Sequence, residues 1–262
     1  MTQEEINRLL AKARMCNRVE EIIIDKEVLI KRRFRGSATG NTGDIVHNYN
    51  NIIYTINIKD DEKIVYIPDG VQAVGLGFLG VIDNSIRHLI RYTKKIKVVG
   101  GKDLITAIGL FDRFGNTSSI VNRKYGIDLL DLTDLEFSKV QDLQSMLKGC
   151  IVKELKLWKC KTSYVKSFNA LFLDAHINNI ENIEYLDTKE QRAYMNDAFY
   201  YFNGDTLDLS NFKLYRLINQ ECFRKSKINK LILNEKELKD NDLYNWVKSL
   251  CIEEQIGEIE YR

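Results

Sequence analysis

From residue 63 onward the chain alternates between two hydrophobic periods. Short runs of leucine and β-branched residues predict strands: IVYIP (64–68), IKVVG (96–100), LLDL (129–132), LKL (155–157), IEYL (183–186), LDL (207–209), LIL (231–233) and IEY (259–261). Each is followed by a turn and then by a stretch of helical period, about three turns long, with its apolar residues on one face. Successive strand starts lie roughly 23 to 34 residues apart. That is the spacing of leucine-rich repeats, in which a strand-plus-helix unit buries its apolar face only by stacking on its neighbours.

Two units superimpose without a gap. LDLTDLEFSKVQDLQSMLKGC (130–150) lies over LKLWKCKTSYVKSFNALFLDA (155–175), 25 residues later. Leu130 and Leu132 match Leu155 and Leu157, two apart, so both point to one side of a strand. Val140, Leu143, Met146 and Leu147 match Val165, Phe168, Leu171 and Phe172, a helical stripe facing those leucines. Gly149 and Cys150 match Asp174 and Ala175, where the chain leaves the helix and a small inward residue is needed. The expected architecture is an α/β leucine-rich-repeat solenoid over residues 61–262, with a parallel sheet on one face and helices on the other.

Residues 1–60 predict an α/β cap or small domain. Thr2 and Glu5 form a capping box for a first helix with Ile6, Leu9, Leu10 and Ala13 on one face. VEEIII (19–24) and IIYTINI (52–58) predict strands, and KRRFRGSATGNTGD (31–44) between them predicts an exposed loop or hairpin tip. At the other end, NDLYNWVKSLCIEEQIGEIEYR (241–262) predicts a closing helix and a last short strand.

These residues carry a resemblance. LDLTDLEFSKVQDLQSMLKGC and LDLSNF (207–212) are similar to the unit LDLSxFxTSxVxxMxxMFxGC of the BspA-like leucine-rich repeat proteins; FNALFLDA (168–175) and MNDAFYYF (195–202) follow it more loosely. IVYIPDGVQAVGLGFLG (64–80) resembles the sister repeat IPxxVxxIGxxAF. The likeness covers about residues 63–234 and implies the scaffold. Family members are mostly surface adhesins with near-identical repeats and secretion signals. Here the repeats are degenerate, and MTQEEINRLLAKARMC lacks the basic start and apolar run of such a signal.

Composition narrows the chemistry. The 262 residues are 44% hydrophobic, enough for a large core. With 39 Lys+Arg against 37 Asp+Glu, a formal charge of +2 creates no global field toward nucleic acid or an anionic membrane. No run reaches 18 uninterrupted apolar residues, so a cytoplasmic chain without membrane contact is expected. Cys16, Cys150, Cys160, Cys222 and Cys251 are scattered without a CxxC pair and read as reduced apolar fillers. His47, His88 and His176 lack metal-ligand spacing, and the acidic pairs Asp60-Asp61 and Glu253-Glu254 read as solvated turns or faces. No constellation of nucleophile, base and oxyanion donor is present in the pattern, so a non-enzymatic chain with no cofactor is expected.

The candidate site is instead the outward row of the sheet. In the repeat register its residues are Lys97, Asp131, Thr133, Lys156, Trp158, Glu184, Leu186 and Asp208, continued by Ser210, Ile232 and Glu260. Mixed charge around a tryptophan suits a protein partner, with Trp158 and Lys156 at the centre; the alternative is that Trp158 packs against a neighbour. A narrower version is a phage- or mobile-element-encoded inhibitor that sequesters a host defence or regulatory protein. A surface adhesin is another alternative. Lys31, Arg32, Arg33 and Arg35 before a glycine-rich stretch offer an anion or nucleic-acid contact as the runner-up. Gly40 is followed by Asn41 and Thr42, where a P-loop would have Gly-Lys-Ser/Thr.

Overall fold

The structure is a computed structural model. It describes the backbone of residues 21–24, 27–39 and 45–59, and residues 62–67, 69–72, 94–114, 127–160, 162, 164–186, 195–210, 222–236, 245–247, 249 and 255–262. The helix expected over residues 2–13 lies outside them.

Among the described residues, eleven strands form one sheet in sequence order. Three are antiparallel: β1 (Glu21–Ile24), β2 (Glu27–Thr39) and β3 (Ile45–Lys59), with β3 pairing antiparallel to β4 (Glu62–Ile67). From β4 onward the sheet is parallel, through β5 (Lys95–Gly100), β6 (Ile127–Leu135), β7 (Ile151–Lys156), β8 (His176–Glu181), β9 (Asn203–Asp208), β10 (Lys227–Leu233) and β11 (Gln255–Tyr261). This is an α/β-class parallel-sheet repeat fold. Ile96, Leu130, Leu155 and Ile180 are register partners from strand to strand and point inward, so each coil places an aliphatic residue on that of its neighbour.

Two strand-level expectations are corrected. KRRFR does not form a loop tip; Lys31, Arg32, Arg33 and Arg35 lie within β2, opposite Tyr54, Ile53, Ile52 and Asn50 of β3. IEYL (183–186) is a 3-10 turn, and the strand of that coil is β8, seven residues earlier in its start. Asn182 follows the strand, adopts φ 65° and donates its Nδ2 to the Leu157 carbonyl at 3.0 Å. It stands where other coils place a leucine such as Leu132 or Leu157, and β8 covers the same six positions as β7, so IEYL lies beyond the strand segment of its coil.

The face opposite the sheet also departs from expectation. Where helices are predicted, the described residues form stacked turns. In the coil of β6, Met146, Lys148 and Cys150 donate their N–H groups to carbonyls three residues back. Leu143, Ser145, Leu147 and Gly149 donate instead to Ser167, Asn169, Leu171 and Leu173 of the next coil, at 2.7 to 3.0 Å. Ser145 (φ 54°) and Gly149 (φ 62°) take the left-handed conformation at four-residue spacing, which an α-helix excludes. Ala170 with Asp174, and Asp197 with Tyr201, repeat the pair in the following coils. Apolar residues at helical spacing therefore satisfy a second ladder of backbone hydrogen bonds, and the coils are joined on both faces. Asp142, Thr106 and Ser167, buried and bridged in register, each accept the N–H two residues on and fix the entry to the turns.

Between the faces the core is continuous and aromatic. Phe199 stacks between Phe172 (centroids 5.2 Å) and Phe223 (5.1 Å), and Phe202 meets Phe172 edge-on. Near the end of the stack, residues 245–247 are helical, Val247 is buried, and Trp246 approaches Phe223 at 6.0 Å. Burial pushes the Cys222 thiol up to about 12 and raises that of Cys150. An unfolded thiol titrates near 9.0, so both states hold the proton below that pH and only unfolding releases it above. Stability is therefore expected to fall as pH rises from 9 toward 12, and both cysteines should resist alkylation in the native state at pH 8. Urea titrations at neutral and alkaline pH, with mass mapping of labelled thiols, check this.

Candidate protein-binding face

The solvent side of the parallel sheet is built from a six-position rule. In β7 and the residue after it, Val152, Leu155 and Leu157 point into the core, while Lys153, Glu154 and Lys156 point out. The same order of burial recurs in β6 around Ile127, Leu130 and Leu132. Core packing fixes the inward letters, and hydrogen-bonded register fixes where the outward ones stand.

One outward row runs Lys97, Asp131, Lys156 and Glu181 in direct register. Asp208, Ile232 and Glu260 are register partners in β9, β10 and β11. Charges in it are matched to neighbours. Lys97 pairs with Asp134, Lys156 with Glu181 at 3.1 Å, and Lys230 with Glu260. Arg262 spans Glu260 (2.6 Å) and Asp208 (3.3 Å). The bond to Glu181 raises the Lys156 pKa, and the bonds from Lys230 and Arg262 lower that of Glu260. Nearer the strand starts, Lys153 meets Asp128 at 2.6 Å and lowers its pKa. These pairs remain partly open to solvent, so neutralising Lys156 by Lys156→Met is expected to leave the denaturant midpoint almost unchanged.

The aspartates of LDLT and LDLS have a local role. Asp131 accepts from the Thr133 N–H at 2.9 Å and from its hydroxyl at 2.6 Å; Asp208 accepts from the Ser210 N–H at 2.9 Å. Asp208 thereby closes the turn that leaves β9, whereas the Asp131 contact lies within β6. Thr133 is half-buried there and Glu184 is exposed on the 3-10 turn.

Three residues expected to be exposed on the outward row are instead buried. Trp158 is fully buried, 4.7 Å from the Phe137 ring, because the chain turns inward after Leu157 and the indole fills the corner of the coil. Leu186 is buried at the end of the 3-10 turn, and Ile232 is buried on β10. The packing alternative for Trp158 is the correct one. Conversely, Glu181 belongs to the row and was not expected. Counting 25 residues from Lys156, the interval that joins Leu130 to Leu155, reaches it directly.

Lys31, Arg32, Arg33 and Arg35 occur on β2, and the structure does not bring them to the row of Lys97 and Lys156. The glycine-rich stretch after Thr39 lies outside the described residues, as does His88. His176 stands 4.0 Å from Asp174, and among the described residues no group of His, Cys, Asp or Glu could hold a metal. No helix among them is long and apolar enough to cross a membrane.

The chain matches no protein-family model, no curated protein and no solved structure. The fold thus defines a class, a parallel-sheet repeat protein, through its own geometry.

Proposed function

We propose that the chain is a non-enzymatic protein-binding module, a leucine-rich-repeat solenoid whose outward sheet rows recognise a partner. The observation that carries this is the in-register row of Lys97, Asp131, Lys156 and Glu181 on a backbone whose inward side is fully committed to the core. Such side chains can vary without cost to the scaffold, and mixed charge on a rigid surface favours complementarity with a protein over uniform attraction to phosphates. The BspA-like resemblance supports the same reading, as does the joining of coils on both faces. Within it, residues 1–60 cap the first repeat, and Lys97, Asp131, Lys156, Glu181, Glu184 and Asp208 supply contacts.

Affinity capture from the native cell with the wild type and with a Lys97→Glu, Lys156→Glu variant tests it. A protein retained by the wild type and lost from the folded variant is the expected result. Recovery of nucleic acid alone, or equal retention by both, overturns the reading.

A further inference from the structure

We propose that the outer edge of β11 accepts an extended segment of a partner protein, one that alternates basic and apolar residues, as a twelfth strand. This rests on the protein-binding reading and names the chemistry of one contact.

The backbone sets the geometry. Arg262 donates its N–H to Leu233 at 2.9 Å and accepts from Glu235 at 3.0 Å, so both its main-chain groups face β10. Alternation then turns Glu260 toward β10 and Ile259 away from it. Among the described residues no strand lies beyond β11, and the Ile259 N–H and carbonyl point past the end of the ladder. A strand edge of this kind is a template for main-chain pairing.

Side chains select the occupant. On the solvent side β11 presents Glu258 and Glu260. Elsewhere on this face acids and lysines pair across adjacent strands, as in Lys153 with Asp128, Lys156 with Glu181 and Lys230 with Glu260. A following strand that continues the rule carries lysine or arginine beside Glu258. On the core side Ile259 remains partly buried against the cluster and Ile256 is nearly closed off, so the alternate residues of the added strand are apolar. A second copy of this chain is disfavoured there, because antiparallel self-pairing of β11 brings Glu258 and Glu260 against their own counterparts.

The test uses the full chain, a short peptide alternating lysine and valine, its glutamate and valine counterpart, and the lysine peptide N-methylated at every second residue. NMR and amide hydrogen exchange follow Gly257 and Ile259. Expected are saturable shifts and about tenfold slower exchange at Ile259 with the lysine peptide only, and at least about a tenfold weaker affinity in Glu258→Lys. An unaltered Ile259 amide, equal binding of the N-methylated or acidic peptide, or unchanged affinity in Glu258→Lys overturns the proposal. If the peptide fails while cellular capture remains sensitive to Lys97→Glu and Lys156→Glu, the edge proposal falls and the sheet-face reading stands. Failure of both removes both.

Discussion

Trp158→Ala is expected to lower the unfolding free energy by about 3 to 5 kcal/mol, the range for emptying a packed aromatic site. The indole is fully buried and tilted against Phe137 at 4.7 Å, within the core cluster that also holds Ile183 and Leu186. Its Nε1 has no hydrogen-bond partner within the described structure, so the ring contributes through packing, and the unpaired buried donor costs about 1 to 3 kcal/mol. Trp158→Phe, which keeps a ring and removes that donor, should therefore cost much less than alanine. Urea unfolding of the two variants checks the ordering. A tryptophan that served only as a surface contact would leave stability within about 0.5 kcal/mol.

Phe199→Ala is expected to cost a similar 3 to 5 kcal/mol, roughly, with a further signature in its neighbours. Its ring lies nearly parallel to both Phe172 (15°) and Phe223 (5°), so one side chain bonds three successive coils. Removing it leaves the outer two rings without their common face. Double-mutant cycles should then show coupling of about 0.5 kcal/mol or more for Phe199 with Phe172 and for Phe199 with Phe223. Phe172 with Phe223, which do not stack on one another, should couple less. Equal coupling in all three cycles would contradict a stack transmitted ring to ring.

Leu130, Leu132, Leu155 and Leu157 were legible in the sequence because a two-residue period has one structural meaning in a short apolar run. The parallel order of β4 to β11 followed from their spacing. Val140, Leu143, Met146 and Leu147 were legible as buried but not as non-helical. Helical spacing also suits a pair of four-residue turns, and the left-handed residues that distinguish them include Ser145, Ala170, Asp174, Tyr201 and Lys225, which carry no glycine signal. IEYL mimicked a strand because it is mostly apolar and begins with a β-branched residue, while the register with β7 places the strand of that coil at His176–Glu181. Trp158 was the costliest misreading: simple alternation places it outward, but alternation stops at the end of β7, two residues earlier. The row of Lys97, Asp131 and Lys156 was recovered because those residues sit within strands.

The proposed binding face is most directly tested by lysine-reactive footprinting of the chain alone and in complex with any protein retained in the capture experiment. Lys97 and Lys156 should lose reactivity in the complex, while Lys166 and Lys225, outside the sheet, keep theirs. Protection of Lys225 with unchanged reactivity at Lys97 and Lys156 would place the partner on the turn face and contradict the account.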